Sequence, residues 1–384
     1  MEPIKIIQGP QTKKNLPNFL SPANCQPAHQ YHRSLDVYQP TPLVSLPALA
    51  RRLGVKAVYI KDESYRFGLN AFKGLGCTYA IHQSLAQHPE KTPVFVTATD
   101  GNHGRAVAWA AARLGGKAKI FMPKGSEPCR VEAIRAIENA EATVLDMNYD
   151  QAVLYAFDYA NQHGFTAIQD TGFEGYEQVP NWITQGYTTM TKEALAQMQQ
   201  YGTQRPSHVF VQAGVGSFAG SITGYLAHVY GDKLPHITIV EASPAACLYR
   251  SIECGDGAPH SITGDPETIM AGLNCGTPNL FTWPVLRDFA AQFAKCPDWV
   301  AELGMKTLAH PLAQDPRVVS GESGAVGAGL LVALLTMEAW QGYKDAMHLG
   351  PGSEILLFST EGDTDPVNYA RIVNKVKCIA KGAS

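Results

Sequence analysis

The chain has 384 residues, of which 45% are hydrophobic, and a formal net charge of −3. A chain of this length is too long to fold around one small hydrophobic core. It favours two domains, or one large α/β domain with an elaboration. A nearly balanced charge without a basic block argues against a nucleic-acid partner. No apolar run approaches the roughly 18–20 residues that cross a bilayer, and the N-terminus lacks the pattern of a signal peptide. We therefore expect a soluble cytoplasmic protein with no membrane partner.

The eight cysteines are scattered along the chain. None forms a Cys-x-x-Cys pair and no group has zinc-site spacing, so no metal site is predicted. The acidic run at 361–365 lacks complete EF-hand spacing, which argues against a calcium loop. Cys247, Cys254 and Cys275 lie in one segment, where a local disulfide is the alternative to reduced thiols.

Strand-like and helix-like runs alternate after an N-terminal segment rich in Pro and Asn. This composition predicts that residues 1–40 form an irregular arm. From about residue 55 the alternation, with helices of about 10–15 residues, is typical of parallel sheets with right-handed crossovers. The predicted strands are 58–60, 94–97, 118–122, 143–146, 166–169, 208–212, 237–241 and 354–359, and the predicted helices are 73–87, 104–114, 131–139, 151–163 and 217–229.

The middle of the chain forms a strand–helix unit of its own. We predict a small α/β domain at 85–185, inserted in a large domain made of residues 1–84 plus 186–384. The predicted fold class is α/β, with two open, twisted, mostly parallel sheets flanked by helices.

Four chemically informative residues directly follow predicted strands: Asp100, Asp170, Gly214 and Thr360. Ligands of open α/β sheets bind at the carboxyl ends of strands. This shared placement predicts that the four residues belong to one site.

The turn from Asp100 to Gly104 lies between a predicted strand and a predicted helix. Its glycines, Asn102 and His103 place N–H groups, an amide and an imidazole at a helix N-terminus, where anions bind well. Asp100 adds a carboxylate to the same place. The structural alternatives are a helix N-cap for Asp100 and an Asx turn for Asp170.

Lys73 stands at the start of a predicted helix, with Asn70 as the expected N-cap. A lysine in the first turn is unfavourable against the helix dipole, and Phe72 and Gly74 flank it. The simple alternative is a solvated lysine. In an apolar, electropositive pocket, a lysine instead has a lowered pKa and forms Schiff bases.

The glycine-rich segment 211–220 follows a strand and opens a helix, which is the form of a phosphate-binding loop. It also fits Gly-x-Gly-x-x-Ala, and Glu241 ends the next strand, as in a dinucleotide site. A phosphate ligand, a dinucleotide and a plain tight turn are therefore all open.

Several of these segments, in this order, resemble the fold type II (tryptophan synthase β-like) family of pyridoxal-phosphate enzymes. The matching segments are Pro40-Thr41-Pro42-Leu43, Lys61-Asp62-Glu63, Phe72-Lys73, Gly101-Asn102-His103-Gly104, the glycine-rich loop and the late strand ending in Ser359-Thr360. Asp100 replaces the small residue that dehydratases of the family carry before Gly-Asn-His. This departure, together with Gln169-Asp170-Thr171 and the segment 359–365, resembles the diaminopropionate ammonia-lyases.

The resemblance implies a carbon–nitrogen lyase that converts 2,3-diaminopropionate, in both D and L forms, to pyruvate and two ammonia, and that is usually a homodimer. It implies that Lys73 binds pyridoxal 5'-phosphate as a Schiff base, that Asn102 bonds the ring oxygen, and that Ser359 or Thr360 faces the pyridine nitrogen. The implied phosphate-binding residues are Gly214, Val215, Gly216, Ser217 and Phe218.

Lys73, Asp100 and Asp170 are the predicted catalytic residues, and the substrate carboxylate is expected on the turn, at Thr99, Asp100 and His103. An amine leaves poorly unless it is protonated, so a carboxylate such as Asp100 suits a β-amino substrate. Two carboxylates on opposite faces could serve opposite enantiomers. The alternatives are a serine/threonine dehydratase with the same cofactor, an NAD(P)-dependent oxidoreductase, and a non-catalytic ligand-binding α/β protein.

Overall fold

Strands and helices alternate along the chain in the computed structural model, which describes residues 2–89, 92–99, 101–264 and 266–375. The strands are β1 Lys5–Gln8, β2 Leu43–Ser45, β3 Ala57–Asp62, β4 Val94–Ala98, β5 Lys117–Met122, β6 Ala140–Val144, β7 Thr166–Ala167, β8 His208–Gln212, β9 His236–Ala242, β10 Gln292–Cys296 and β11 Glu354–Ser359. The helices are α1 Pro22–Ser34, α2 Pro47–Leu53, α3 Gly74–Gln87, α4 Asn102–Arg113, α5 Pro128–Arg135, α6 Tyr149–His163, α7 Gln178–Gln200, α8 Ser217–Tyr230, α9 Cys247–Cys254, α10 Trp283–Phe289, α11 Asp298–Ala309, α12 Glu322–Thr336, α13 Gln341–Ala346 and α14 Pro366–Val373.

The described strands form two sheets. The larger has seven strands in the order β1-β10-β9-β8-β11-β3-β2. Its five central strands run parallel, while β1 and β2 pair antiparallel at the two edges. The smaller sheet has the order β6-β5-β4-β7 and is parallel throughout. This arrangement confirms the predicted fold class. The small sheet falls inside the predicted 85–185 segment, and the domain limits themselves stay a prediction.

The N-terminal segment differs from the predicted irregular arm. Residues of β1 extend the large sheet by pairing with β10, and α1 begins after the N-cap Ser21, whose side chain accepts from Asn24 N. The buried face of α1 consists of Cys25, Ala28, His29 and His32. Because histidine supplies half of that face, the helix has little of the aliphatic periodicity on which a sequence-based prediction depends.

The large sheet is covered on one side by α11 and α12, which pack closely on one another. A Cβ on Gly304 would collide with Ala325 O, and a Cβ on Gly329 would collide with Val300 O. Small residues at these positions therefore set the distance between the two helices. No single helix among the described residues is long and apolar enough to span a membrane. By length and composition alone, α12 and the following segment Glu338–Ala346 meet that criterion only as a pair, and the pair is bent by 98° at its break.

Candidate active site

A cavity lies where the carboxyl ends of strands from both sheets meet. Among the predicted site residues, it is lined by Lys73, Thr99, Asn102, His103, Asp170, Gly214, Val215, Gly216, Ser217, Phe218 and Thr360. The structure therefore brings most of the predicted site together. Asp100 lies outside the described residues, and Ser359 does not line the cavity.

Lys73 immediately precedes α3 and forms an ion pair between its Nζ and Oδ2 of Asp170. The Lys73 side chain is 19% exposed and reaches the cavity. Burial by itself lowers the pKa of Lys73, but the charge and the hydrogen bond of Asp170 outweigh burial and raise it above its ordinary value. The expected lowered pKa is therefore wrong, because the pocket holds a carboxylate beside the amine.

Asp170 follows β7 and is almost fully buried. Burial alone would raise its pKa, but the neighbouring His103 and Lys73, together with the Lys73 hydrogen bond, lower it to about 2. The carboxylate is thus ionised while Lys73 carries its charge beside it.

His103 lies under the cavity with both ring nitrogens engaged. Its Nε2 lies 2.8 Å from Ile168 O, which requires that nitrogen to donate. Its Nδ1 faces Asp170 Oδ2 at 3.6 Å and Cys77 Sγ at 3.5 Å. Burial is the main cause that lowers the pKa of His103. The lowered pKa favours the neutral ring, whose single N–H goes to Ile168 O, so Nδ1 accepts from Cys77 Sγ and neither ring nitrogen is directed to a substrate.

Thr99 holds the turn that follows β4. Its Oγ1 accepts from Gly101 N at 2.9 Å and from Gly104 N at 3.1 Å. A Cβ on Gly104 would collide with the Thr99 side chain. The hydroxyl therefore shapes the turn at the start of α4.

The glycine-rich loop joins β8 to α8. Among the described residues, no protein acceptor takes the backbone N–H groups of the five residues from Gly214 to Phe218. Gly216 has φ +99°, and a Cβ there would lie 3.0 Å from Leu286 Cδ1. The Ser217 hydroxyl donates to Asp170 O and accepts from Asn279 Nδ2 at 2.7 Å. The loop thus presents unpaired donors at a helix N-terminus, where the dipole attracts an anion.

The two hydroxyls at the end of β11 point to different partners. Ser359 is buried and its Oγ donates to Ser320 Oγ at 2.8 Å. Thr360 lines the cavity, and its Oγ1 accepts from Gln212 Nε2 at 2.9 Å. The Thr360 hydroxyl hydrogen therefore stays available to an acceptor in the cavity, which selects Thr360 over Ser359.

Glu361 and Gln212 line the cavity and were not predicted as site residues. Asn102 Nδ2 donates to Glu361 Oε2, and Ser323 N donates to Glu361 Oε1 at 3.1 Å. The available signal was position, since Glu361 follows Thr360 at a strand end. The acidic run 361–365 was considered as a calcium loop, which its spacing argues against, and Glu361 was therefore left out of the predicted site.

Two other predictions receive structural corrections. Glu241 is fully buried, and its two carboxylate oxygens accept from Leu248 N at 2.8 Å and Tyr249 N at 2.7 Å. It secures the start of α9 and has no free oxygen facing a ribose, which removes the argument for a dinucleotide. Asn70 is not the N-cap of α3, because Lys73 holds that position. Asn70 Nδ2 instead donates to Asp363 Oδ1 at 3.1 Å.

The three cysteines of the 247–275 segment are reduced thiols. Cys247 Sγ donates to Gly214 O at 3.8 Å. The local disulfide that their spacing allowed is therefore absent from the described structure.

Comparison with known proteins gives independent evidence about the family to which this chain belongs. Residues 35–346 match the family model described as pyridoxal-phosphate dependent enzyme. Diaminopropionate ammonia-lyase from Escherichia coli (strain K12) is 47% identical over 371 residues, covering 92% of this chain and 92% of its own length. L-Threonine dehydratase from Salmonella typhimurium is a more distant relative, 31% identical over 225 residues and covering 57% of this chain.

Solved structures agree with the sequence comparison. A crystal structure of Escherichia coli diaminopropionate ammonia-lyase with an aminoacrylate–PLP azomethine reaction intermediate superposes with a TM-score of 0.91 and 45% identity, covering 97% of each chain. The same enzyme in complex with D-serine gives a TM-score of 0.91 and 43% identity, again over 97% of each chain. The chain therefore belongs to the pyridoxal-phosphate-dependent enzymes of fold type II and, within them, to the diaminopropionate ammonia-lyase family.

Proposed function

We propose that this protein eliminates ammonia from both D- and L-2,3-diaminopropionate, with pyridoxal phosphate as cofactor. One water is consumed, and pyruvate and two ammonia are formed. The observation that carries the proposal is the Lys73–Asp170 pair in a cavity that also holds a loop of unpaired N–H donors.

The residues around the cavity fit pyridoxal phosphate. The unpaired N–H groups from Gly214 to Phe218 suit its phosphate, because they converge at the N-terminus of α8. Lys73 Nζ would hold its carbonyl carbon. Thr360 would donate to the ring nitrogen, since Gln212 already fills an acceptor position of that hydroxyl. A neutral hydroxyl there would donate without protonating the ring nitrogen, which would favour prompt β-elimination.

When bound, pyridoxal phosphate supplies an electron sink for the pair released at the substrate α-carbon. Asp170 is the described carboxylate closest to Lys73, and so it is placed to hold or move the proton at that carbon. The positive charge of Lys73 is among the causes of its low pKa. Once Lys73 Nζ no longer carries that charge, burial acts with less opposition, and Asp170 becomes a stronger base.

The leaving β-amine needs a proton, and we assign this need to Asp100 on the basis of the sequence resemblance. The α-carboxylate is assigned to the turn at Thr99, Asp100 and His103, where His103 would act through its backbone, because both of its ring nitrogens are engaged. With Asp100 and Asp170 on opposite faces of the substrate, each carboxylate would take the α-proton of one enantiomer.

Absorption and product assays test this proposal. The purified protein is expected to show a visible absorption band. Borohydride should bleach this band and leave the cofactor covalently attached to Lys73. Pyruvate release from each diaminopropionate enantiomer is then compared with release from serine and threonine. A protein that stays colourless with added pyridoxal phosphate contradicts the cofactor assignment, and faster release from serine or threonine favours the dehydratase alternative.

Two further expectations accompany the proposal. The family resemblance supports a homodimer, which light scattering of the purified protein would measure. The expected compartment is the cytoplasm, which fractionation of expressing cells would test.

A further inference from the structure

Glu361 is a buried carboxylate at the point where the two sheets meet. It follows β11 of the large sheet, and its side chain is within hydrogen-bond reach of α4, the helix that follows β4 of the small sheet. Only 4% of Glu361 is exposed. Burying a carboxylate is costly unless hydrogen bonds compensate it, so its partners indicate what it is for.

The backbone of Glu361 is fixed from two sides. Its carbonyl accepts from Gly321 N at 3.0 Å, and it forms an antiparallel bridge with Ala71, two residues before Lys73. A Cβ on Gly321 would lie 3.3 Å from Glu361 Oε1, which shows how closely the α12 turn approaches this carboxylate. The side chain therefore starts from a rigid position.

Within the described part of the chain, a hydrogen-bond donor is seen at each carboxylate oxygen. Oε1 accepts from Ser323 N in the first turn of α12, and Oε2 accepts from Asn102 Nδ2 at the start of α4. Both donors sit at helix N-termini, where the dipoles favour a negative charge. Both oxygens therefore act as acceptors, and the same two contacts hold the side chain in place.

This contact decides the orientation of Asn102. The two ends of an amide have nearly the same shape, but only the nitrogen donates, and an ionised carboxylate only accepts. Glu361 therefore keeps Nδ2 of Asn102 toward itself and excludes the flipped amide. The second N–H of the same nitrogen is left for an acceptor in the cavity that Asn102 lines.

We infer that Glu361 is a positioning residue that holds the Asn102 amide so that its second N–H donates to the ring oxygen of the bound cofactor. The inference rests on the proposed function, since it takes pyridoxal phosphate as the occupant of the cavity. It predicts that Glu361 affects the cofactor only through Asn102.

A double-mutant cycle with Glu361→Ala and Asn102→Ala tests the inference by two measurements on the cofactor itself: its dissociation constant and the position of its visible band. Each single variant is expected to weaken binding roughly tenfold, as for loss of one charge-assisted hydrogen bond, and to shift the band. In the Asn102→Ala background, Glu361→Ala is expected to change neither quantity by more than about twofold.

A second variant guards against a folding defect in Glu361→Ala. Glu361→Gln keeps the shape but has one oxygen for two donors, so a smaller loss is expected, again absent when Asn102 is alanine. The exposed Glu338→Gln is the matched control and should leave both measurements unchanged.

Independent effects of the two residues would overturn the inference, as would a Glu361→Ala protein with wild-type affinity and spectrum. In either case a yellow wild-type protein leaves the proposed function intact. A wild-type protein that binds no pyridoxal phosphate would instead refute both.

Discussion

Lys73 and Asp170 stabilise one another as charges, and this pairing sets how the site responds to a ligand. Two buried charges are costly apart, since breaking such a pair leaves one of them uncompensated. A ligand that reacts with the Lys73 amine and removes its positive charge therefore also changes the proton affinity of Asp170. The ion pair links cofactor binding to the strength of the base.

Replacing Asp170 by Asn should affect the two enantiomers unequally. The amide keeps the shape but cannot take the α-proton, and loss of a general base costs roughly 100-fold or more in kcat. We expect a loss of that size on one enantiomer of diaminopropionate and a smaller loss on the other, with the opposite preference for Asp100→Asn. Pyruvate formation from each pure enantiomer measures this.

Both Asp variants should keep the visible cofactor band, which controls for loss of the cofactor. An equal and mild loss on both enantiomers in both variants would rule out the assignment of one base to each face.

Thr360 provides a second residue-level test, because its hydroxyl is the group we assign to the ring nitrogen. Thr360→Ser keeps the donor and should retain near wild-type kcat/KM. Thr360→Ala removes it and should lower kcat/KM by roughly tenfold, the equivalent of about 1.4 kcal/mol. Steady-state kinetics with diaminopropionate separates them, and equal activity of the two variants would show that no hydroxyl is needed there.

At the scale of elements, the contact between α11 and α12 depends on glycines. A methyl group on Gly329 would collide with Val300 O, a backbone atom that cannot move aside without shifting α11. We expect Gly329→Ala to destabilise the protein by about 2–4 kcal/mol through overpacking. Thermal unfolding of the holoenzyme measures the change.

Gly342 in α13 is the matched position, because a Cβ there meets nothing within 4 Å. Gly342→Ala should be neutral or should stabilise by up to about 1 kcal/mol, since alanine loses less entropy in a helix. Comparable destabilisation by both substitutions would show that the helix contact is not the cause.

The elements that the sequence predicted are those with a strong local pattern. The buried strands β8 and β11 were located to the residue, because apolar runs bounded by glycine or polar turns specify a central parallel strand. The edge strands β1 and β2 were missed, since both are short and pair on one side only, β1 with the distant β10 and β2 with the neighbouring β3. The strand predicted at 143–146 lies at Ala140–Val144 and is largely exposed, so burial gave no clear pattern.

For the site, too, the residues that belong to a local sequence motif were predicted, and those that depend on distant contacts were not. Lys73 and the glycine-rich loop were found because their chemistry is tied to a short motif. Glu361 could not be found in that way, because its role depends on Asn102, a residue 259 positions away in the sequence. The raised pKa of Lys73 was missed for a related reason, since its partner Asp170 lies 97 positions away in the sequence.

At the scale of the whole molecule, a buried ionic cluster connects the segment that leads to Lys73 with α7. Arg66 donates to Glu63 and to Glu193, and Lys61 Nζ lies 2.7 Å from Glu193 Oε2. All four side chains are at least nine-tenths buried. Two cations face two carboxylates, so the cluster is neutral only while each member keeps its charge.

Glu193 should make the free energy of unfolding depend on pH in the acidic range. Burial would raise its pKa, but Arg66 and Lys61 outweigh burial and hold that pKa below its ordinary value of 4.5. A carboxylate with a lowered folded-state pKa binds fewer protons in the folded state than in the unfolded state. Its contribution is therefore complete above pH 4.5 and is lost as the pH falls below that value.

Glu193→Gln tests this contribution, because it removes the charge and leaves two buried cations with one carboxylate. We expect a loss of about 3–5 kcal/mol at pH 7. A smaller difference from wild type is expected at pH 3, because there the unfolded chain is protonated at Glu193 while the folded chain, with a pKa of about 2, is still largely ionised. Thermal unfolding at both pH values measures the difference.

The control is Glu302→Gln, which breaks a partly exposed pair with Lys306 and should cost less than about 1 kcal/mol at either pH. If Glu193→Gln costs no more than this control at pH 7, or if its cost is unchanged at pH 3, the buried cluster does not stabilise the molecule through charge.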